Sequence, residues 1–157
     1  MSDESPGIML DEMESFPDRL ARLIERLDNI HAAQRPSEKE WSAAEVVAHL
    51  RDVDEVYGAR IVRIVGEDNP RFEDFEQEAA IEARRGQTEP LAAMFESFAR
   101  GRAELVARLR GLDDQQWARI GTHPIRGPGT ILDYVRTLYH HDQAHAEQIR
   151  EAGGLPL

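Results

Sequence analysis

The chain has 157 residues, a formal net charge of -11 and no cysteine. That length suits one core, so a single domain over residues 1–157 is expected. The acidic balance, with no offsetting run of Lys or Arg, argues against nucleic acid as a partner, and the lack of cysteine excludes disulfides and thiolate sites. The opening MSDESPGIML lacks a basic segment and a long apolar stretch, and no later run approaches the ~18 apolar residues of a membrane span. A soluble, cytoplasmic protein with no membrane partner is expected.

Four segments carry helical periodicity and none reads as a strand. In the first, Phe16, Leu20, Leu23, Leu27 and Ile30 recur at spacings of four and three. Ser15 and Asp18 read as a capping box around Pro17, residues 10–15 stay open as a further stretch of helix, and the end falls near Gln34, before Pro36. The second helix starts at Ser42, with Glu45 at the reciprocal capping position, and carries the stripe Val46, His49, Val53, Val56, Arg60 and Ile64 before Gly66 and Asn69-Pro70 end it.

Residues 67–87 read as a long connection with a helical turn or two. Thr88 with Pro90 opens the third helix, whose core face is Leu91, Phe95, Phe98, Leu105 and Leu109. Gly101 within it costs ~1 kcal/mol relative to Ala, which points to a close helix contact. After a turn at LDDQQW, the Gly and Pro of GTHPIRGPGT argue against regular structure. Thr130 with Asp133 caps the fourth helix, and Gly153-Gly154 ends it. The fold class is all-α, an antiparallel four-helix bundle with axes ~20° apart.

On the fourth helix the row Val135, Leu138, His141, His145, Ile149 places two imidazoles where a bundle ordinarily has Leu. Residues four apart lie ~40° apart around the axis and ~6 Å along it, so both rings can converge on one ion. His140 is turned ~100° away. His49 interrupts the core row of the second helix in the same manner. Three neutral histidines on two helices, His49, His141 and His145, can hold a divalent ion and leave a position open for water or substrate. The bland alternative is that the pair decorates a helix surface and that His49 is satisfied by a carbonyl or carboxylate.

The stretches PSEKEWSAAEVVAHLRDVDEVY and HPIRGPGTILDYVRTLYHHDQAHAEQIREAG resemble the DinB/YfiT-like superfamily of four-helix-bundle proteins. The matching pattern is Trp41 before a capped helix, His49-Leu50 within it, Trp117, His123-Pro124, Gly127 and Thr130, then His141, Asp142, His145, Gln148 and Ile149 on the last helix. The resemblance implies a metal-binding bundle with Zn, Ni or Fe on His49, His141 and His145, and a homodimer. It also implies a metal-dependent hydrolase or a thiol S-transferase acting on a small-molecule substrate with a low-molecular-weight thiol. Whether the chain is an enzyme stays open against a non-catalytic metal- or ligand-binding bundle of a stress response.

Other motifs fall away. HDQAH has Asp where a zinc protease has its Glu base, and no later histidine follows. The chain lacks the paired Glu-x-x-His of a di-iron bundle. GPGT has neither the length nor the Lys of a phosphate loop, though it could line the site mouth. Trp41 and Trp117 read as core packing more than as substrate stacking, while Tyr57 and Tyr139 stay ambiguous. Three roles stay open: Asp52 as imidazole partner, base or solvated acid, Arg102 as anion receptor or snorkelling side chain, and Asp142.

Overall fold

A computed structural model describes residues 4–87 and 89–155. It contains α1 (Pro6–Ile24), α2 (Asn29–Ala33), α3 (Ala43–Gly66), α4 (Gln77–Ala83), α5 (Leu91–Arg110), α6 (Asp114–Trp117), β1 (Ile120–His123), β2 (Gly127–Thr130) and α7 (Ile131–Ala152). The four long helices α1, α3, α5 and α7 form the expected all-α four-helix bundle. Both α3 and α1 pack on α5 and on α7. The pairs α1 and α3, and α5 and α7, therefore face each other across the diagonals.

Cross-contacts fix the directions. Phe16 meets Phe98 while Asp11 meets Arg110, so α1 and α5 run antiparallel. His49 meets His145 while Tyr57 meets Tyr134, so α3 and α7 do as well. Asp54 meets Arg102, and Gly58 lies beside Leu105, which makes α3 and α5 parallel. Parallel consecutive helices require the chain to return along the bundle. At 1.5 Å per residue the 24 residues of α3 span about 36 Å, which accounts for the long crossover through residues 67–90. No helix among the described residues is long and apolar enough to cross a membrane.

The first helix starts earlier than expected. Ser5 caps it and Pro6 opens it, because Met9, Leu10 and Met13 extend the apolar stripe of Phe16 and Leu20. Ser15 is no cap: its hydroxyl donates to the Glu12 carbonyl. Helix α1 also ends sooner, at Ile24, and the chain restarts as α2 under an Asp28 cap, leaving Ile30 exposed. The Thr88 opening of α5 lies outside the described residues, and Pro90 occupies the N-cap. The caps expected at Ser42/Glu45 and Thr130/Asp133 are both complete boxes.

Pro17 sits inside α1 and cannot donate to the Met13 carbonyl four residues earlier. The guanidinium of Arg102 takes that acceptor at 3.1 Å. The same group binds Asp54 through two N–H groups (2.8 and 3.1 Å) and Asp142 through two more (2.7 and 2.8 Å). All five guanidinium N–H groups are thus used, with one acceptor set from each of the other three long helices. Phe16 and Phe98 lie against the guanidinium, which is 1% exposed. This polar layer divides the core. On one side lie Met9, Met13, Val53, Leu105 and Leu138, and on the other Phe16, Leu50, Met94, Phe98 and Ile149.

Three further expectations change. GTHPIRGPGT does form regular structure: β1 and β2 pair antiparallel, with Gly121 opposite Gly129, and Thr122 also exchanges backbone hydrogen bonds with Pro70 and Phe72. The glycines allow this because a Cβ on Gly121 would lie 2.5 Å from the Phe72 ring and 2.9 Å from Ile64. Gly121→Ala should destabilise by about 1–3 kcal/mol, measured by chemical denaturation, because the Phe72 ring would have to move. Gly101 makes no close contact, since a Cβ there meets nothing within 4 Å. LDDQQW is a one-turn helix, α6, with its own Asp113/Gln116 box.

Candidate metal centre

The site starts with the entry to α3. Arg35 grips the Glu45 carboxylate of the capping box at 2.8 and 2.6 Å, which fixes the first turn. Trp41, just before the cap, lays its indole 5.0 Å from the His49 ring. His49 is 1% exposed. From α7, His141 and His145 approach it with ring centroids at 5.9 and 4.7 Å, and they lie 4.7 Å from each other.

One nitrogen from each ring lies within 4.8 Å of the others. Side-chain rotation over that spacing converges them on a shared ion held by bonds of ~2.0–2.1 Å. Their hydrogen bonding fits such an ion. Both nitrogens of His49 and Nδ1 of His141 are buried without a partner, a costly state that a metal would relieve at one nitrogen of each ring. Nδ1 of His145 lies 2.8 Å from Gln148 Oε1; an amide oxygen only accepts, so Nδ1 carries the proton and Nε2 offers its lone pair. The sequence placed Gln148 in a pattern without a role, although its spacing of three residues from His145 was the signal. Gln148→Leu should weaken metal affinity about 10- to 100-fold with the helical content unchanged, read by competition against a chromophoric chelator.

Electrostatics keep the lone pairs available. Burial, with the neighbouring His145 and His141, pushes His49 down to about 3. Burial, His145 and Arg126 bring His141 down to about 4, and burial also lowers His145. In the unfolded chain these groups bind protons near pH 6.5, so below that pH the unfolded state gains protons that the folded state refuses. Stability of chelator-treated protein should therefore fall as pH drops from 6.5 toward 4, by about 1.4 kcal/mol per pH unit for His49 alone. Denaturant titrations at three pH values would measure that slope, and His49→Leu should flatten it.

The helix rows differ from the sequence reading in one respect. His141 and His145 stand half-buried at the edge of the α7 core stripe, and the inward position goes to Asp142, which is 2% exposed. Burial pushes its carboxyl up while Arg102 opposes this. Arg102 neither receives a ligand nor snorkels to solvent. Asp52 does not orient an imidazole; it binds Arg84 at 2.6 Å, on the side of α4. His140 is exposed and pairs with Glu4. The buried His123 serves the hairpin, where its Nδ1 accepts the backbone N–H groups of Ile125 and Arg126, both at 3.1 Å.

A cleft of about 430 Å³ reaches His141 and His145, with Trp41 as one wall. Its mouth is built from connections: Lys39 and Glu40 before α3, Gln77 and Glu78 at the start of α4, and Glu151 near the end of α7. GPGT does not line this mouth; it forms β2, with Arg126 just before it donating to the Tyr57 hydroxyl at 3.2 Å. Trp117 packs against the core cluster at the opposite end, as does Tyr57, while the partly buried Tyr139 packs against that cluster and beside His140.

The fold has known relatives. YfiT from Bacillus subtilis, described as "a probable metal-dependent hydrolase with an unusual four-helix bundle topology", superposes with a TM-score of 0.83 at 22% identity, over 99% of this chain and 91% of that one. A mycothiol-dependent maleylpyruvate isomerase, in a histidine-to-alanine variant, gives a TM-score of 0.77 at 14% identity over 95% of this chain and 63% of that one. The uncharacterized protein YuaE of Bacillus subtilis (strain 168) is 24% identical over 131 residues, covering 75% of this chain and 80% of its own. The DinB superfamily model matches residues 12–149, and the chain belongs to that superfamily.

Proposed function

We propose that the protein binds one divalent metal ion on His49, His141 and His145 and acts as a metal-dependent hydrolase or thiol S-transferase. The observation that carries this reading is a set of three clustered imidazoles with unpartnered or freed nitrogens, two of them, His141 and His145, lining an open cleft. A closed structural site would leave no access from solvent. When bound, the ion would lower the pKa of a water or thiol and polarise an electrophile. Gln148 holds the His145 tautomer, Trp41 shields His49 from solvent, and the acidic rim of Glu40, Glu78 and Glu151 around Lys39 meets the incoming molecule. With no cysteine in the chain, any reacting thiol comes from a cosubstrate.

The relatives support the reading in kind. One is described as a probable metal-dependent hydrolase and another as a mycothiol-dependent isomerase. Zn, Ni and Fe all suit imidazole ligands. A homodimer and a cytoplasmic location complete the proposal, the first checked by light scattering. The functional test is a cobalt-substituted sample titrated with low-molecular-weight thiols, followed by turnover against a panel of electrophiles. A thiol-dependent shift of the visible bands supports a transferase. Turnover without thiol supports a hydrolase. An unchanged spectrum and no turnover would leave a binding protein in place of an enzyme.

A further inference from the structure

We propose that the Asp54–Arg102–Asp142 layer is the positioning element of the metal centre. It sets the rotation of α7 against α3 so that His141 and His145 face His49. This rests on the three-histidine reading above.

The geometry points there for three reasons. First, the ligands come from two helices, so the site exists only while α3 and α7 hold one relative register. Asp54 lies on α3 and Asp142 on α7, and one guanidinium grips both carboxylates through paired N–H groups. Secondly, forked bonds of this kind are directional, whereas the apolar contacts above and below tolerate sliding and rotation. Thirdly, Asp142 lies between the two α7 ligands in sequence. At 100° per residue, His141 and His145 both project from the same side of it, about 100° and 60° around the axis.

A modest error there would matter. Side chains reach about 5–6 Å from a helix axis, so a turn of about 20° carries an imidazole nitrogen about 2 Å, against a coordination tolerance of ~0.2 Å. Pro17 belongs to the same device. By withholding an N–H from Met13 it leaves the carbonyl that supplies the fifth acceptor and ties α1 to the layer. Arg102, Asp54 and Asp142 touch no substrate in this scheme. They act through the histidines.

The test measures metal affinity in variants that stay folded. Asp142→Asn keeps the shape and weakens the fork, and Asp54→Asn does so without altering α7. A triple variant, Asp54→Leu with Arg102→Met and Asp142→Leu, replaces the layer by apolar packing. Circular dichroism establishes folding, Zn affinity is read by chelator competition, and cobalt spectra report ligand geometry. The expected result is affinity at least about tenfold weaker in every folded variant, including the triple variant whatever its stability, with altered cobalt bands. Affinity within about twofold of wild type in the folded variants would overturn the proposal and leave the layer a stability feature only. Failure of the wild-type protein itself to bind Zn would instead overturn the three-histidine reading, and this proposal with it.

Discussion

Arg102→Met should cost about 3–5 kcal/mol, because it strands two carboxylates in the core rather than removing one contact. The wild-type guanidinium is 1% exposed and satisfies Asp54, Asp142 and the Met13 carbonyl together. Burial disfavours its charge, yet the two carboxylates outweigh that and hold Arg102 above its usual value. Without it, the burial that already pushes Asp142 up loses its main opponent, leaving only the weaker pull of Arg19 against it. The folded variant then favours a protonated Asp142, while the unfolded chain ionises near pH 3.9. Relative to wild type, its loss of stability should therefore be smallest in acid and grow as pH rises, on top of the histidine trend that both apo proteins share below pH 6.5. Guanidinium denaturation at pH 4 and pH 7 separates the two. A loss under 1 kcal/mol at pH 7 would mean that water reaches the layer.

His49→Leu should move stability and binding in opposite directions. In metal-free protein the imidazole is buried with both nitrogens unpaired, a burden that leucine removes, so the apo variant should unfold at a higher temperature than apo wild type. Metal should no longer rescue it. Wild-type protein at 100 times the dissociation constant should gain about 2.7 kcal/mol from metal, and the variant none. His145→Ala should likewise lose its metal, from one ion per chain to a trace by elemental analysis. Equal, negligible metal in wild type and His145→Ala would remove the basis of the proposed function.

Much of the centre was legible in the sequence because helical spacing is a rigid ruler. His141 and His145 stand four apart, and His49 interrupts a stripe whose other members are buried except for the partly buried Val56. The capping boxes at Ser42 and Thr130 were readable for the same reason, since they depend on residues three apart. What local spacing could not convey was pairing between helices. Asp54 drew no reading from its spacing, and Arg102 stayed open between anion receptor and snorkelling side chain, until the bundle brought them together. The clue lay in Pro17, whose missing N–H frees a carbonyl that some distant donor must satisfy. The hairpin was missed because Gly and Pro usually mark irregular chain, whereas here Gly121 provides the clearance that lets a strand lie on Phe72.

The cleft takes its histidines from α7 and its mouth from the connections before α3 and at the start of α4, with Glu151 on α7 at the rim. Changes of length or charge in residues 36–41 or 77–78 can alter which molecules enter while the imidazoles stay where the bundle holds them. The proposed metal centre and its choice of substrate can thus change separately over evolution. On the positioning proposed above, a single buried layer of one arginine and two aspartates would hold the first constant while the second drifts.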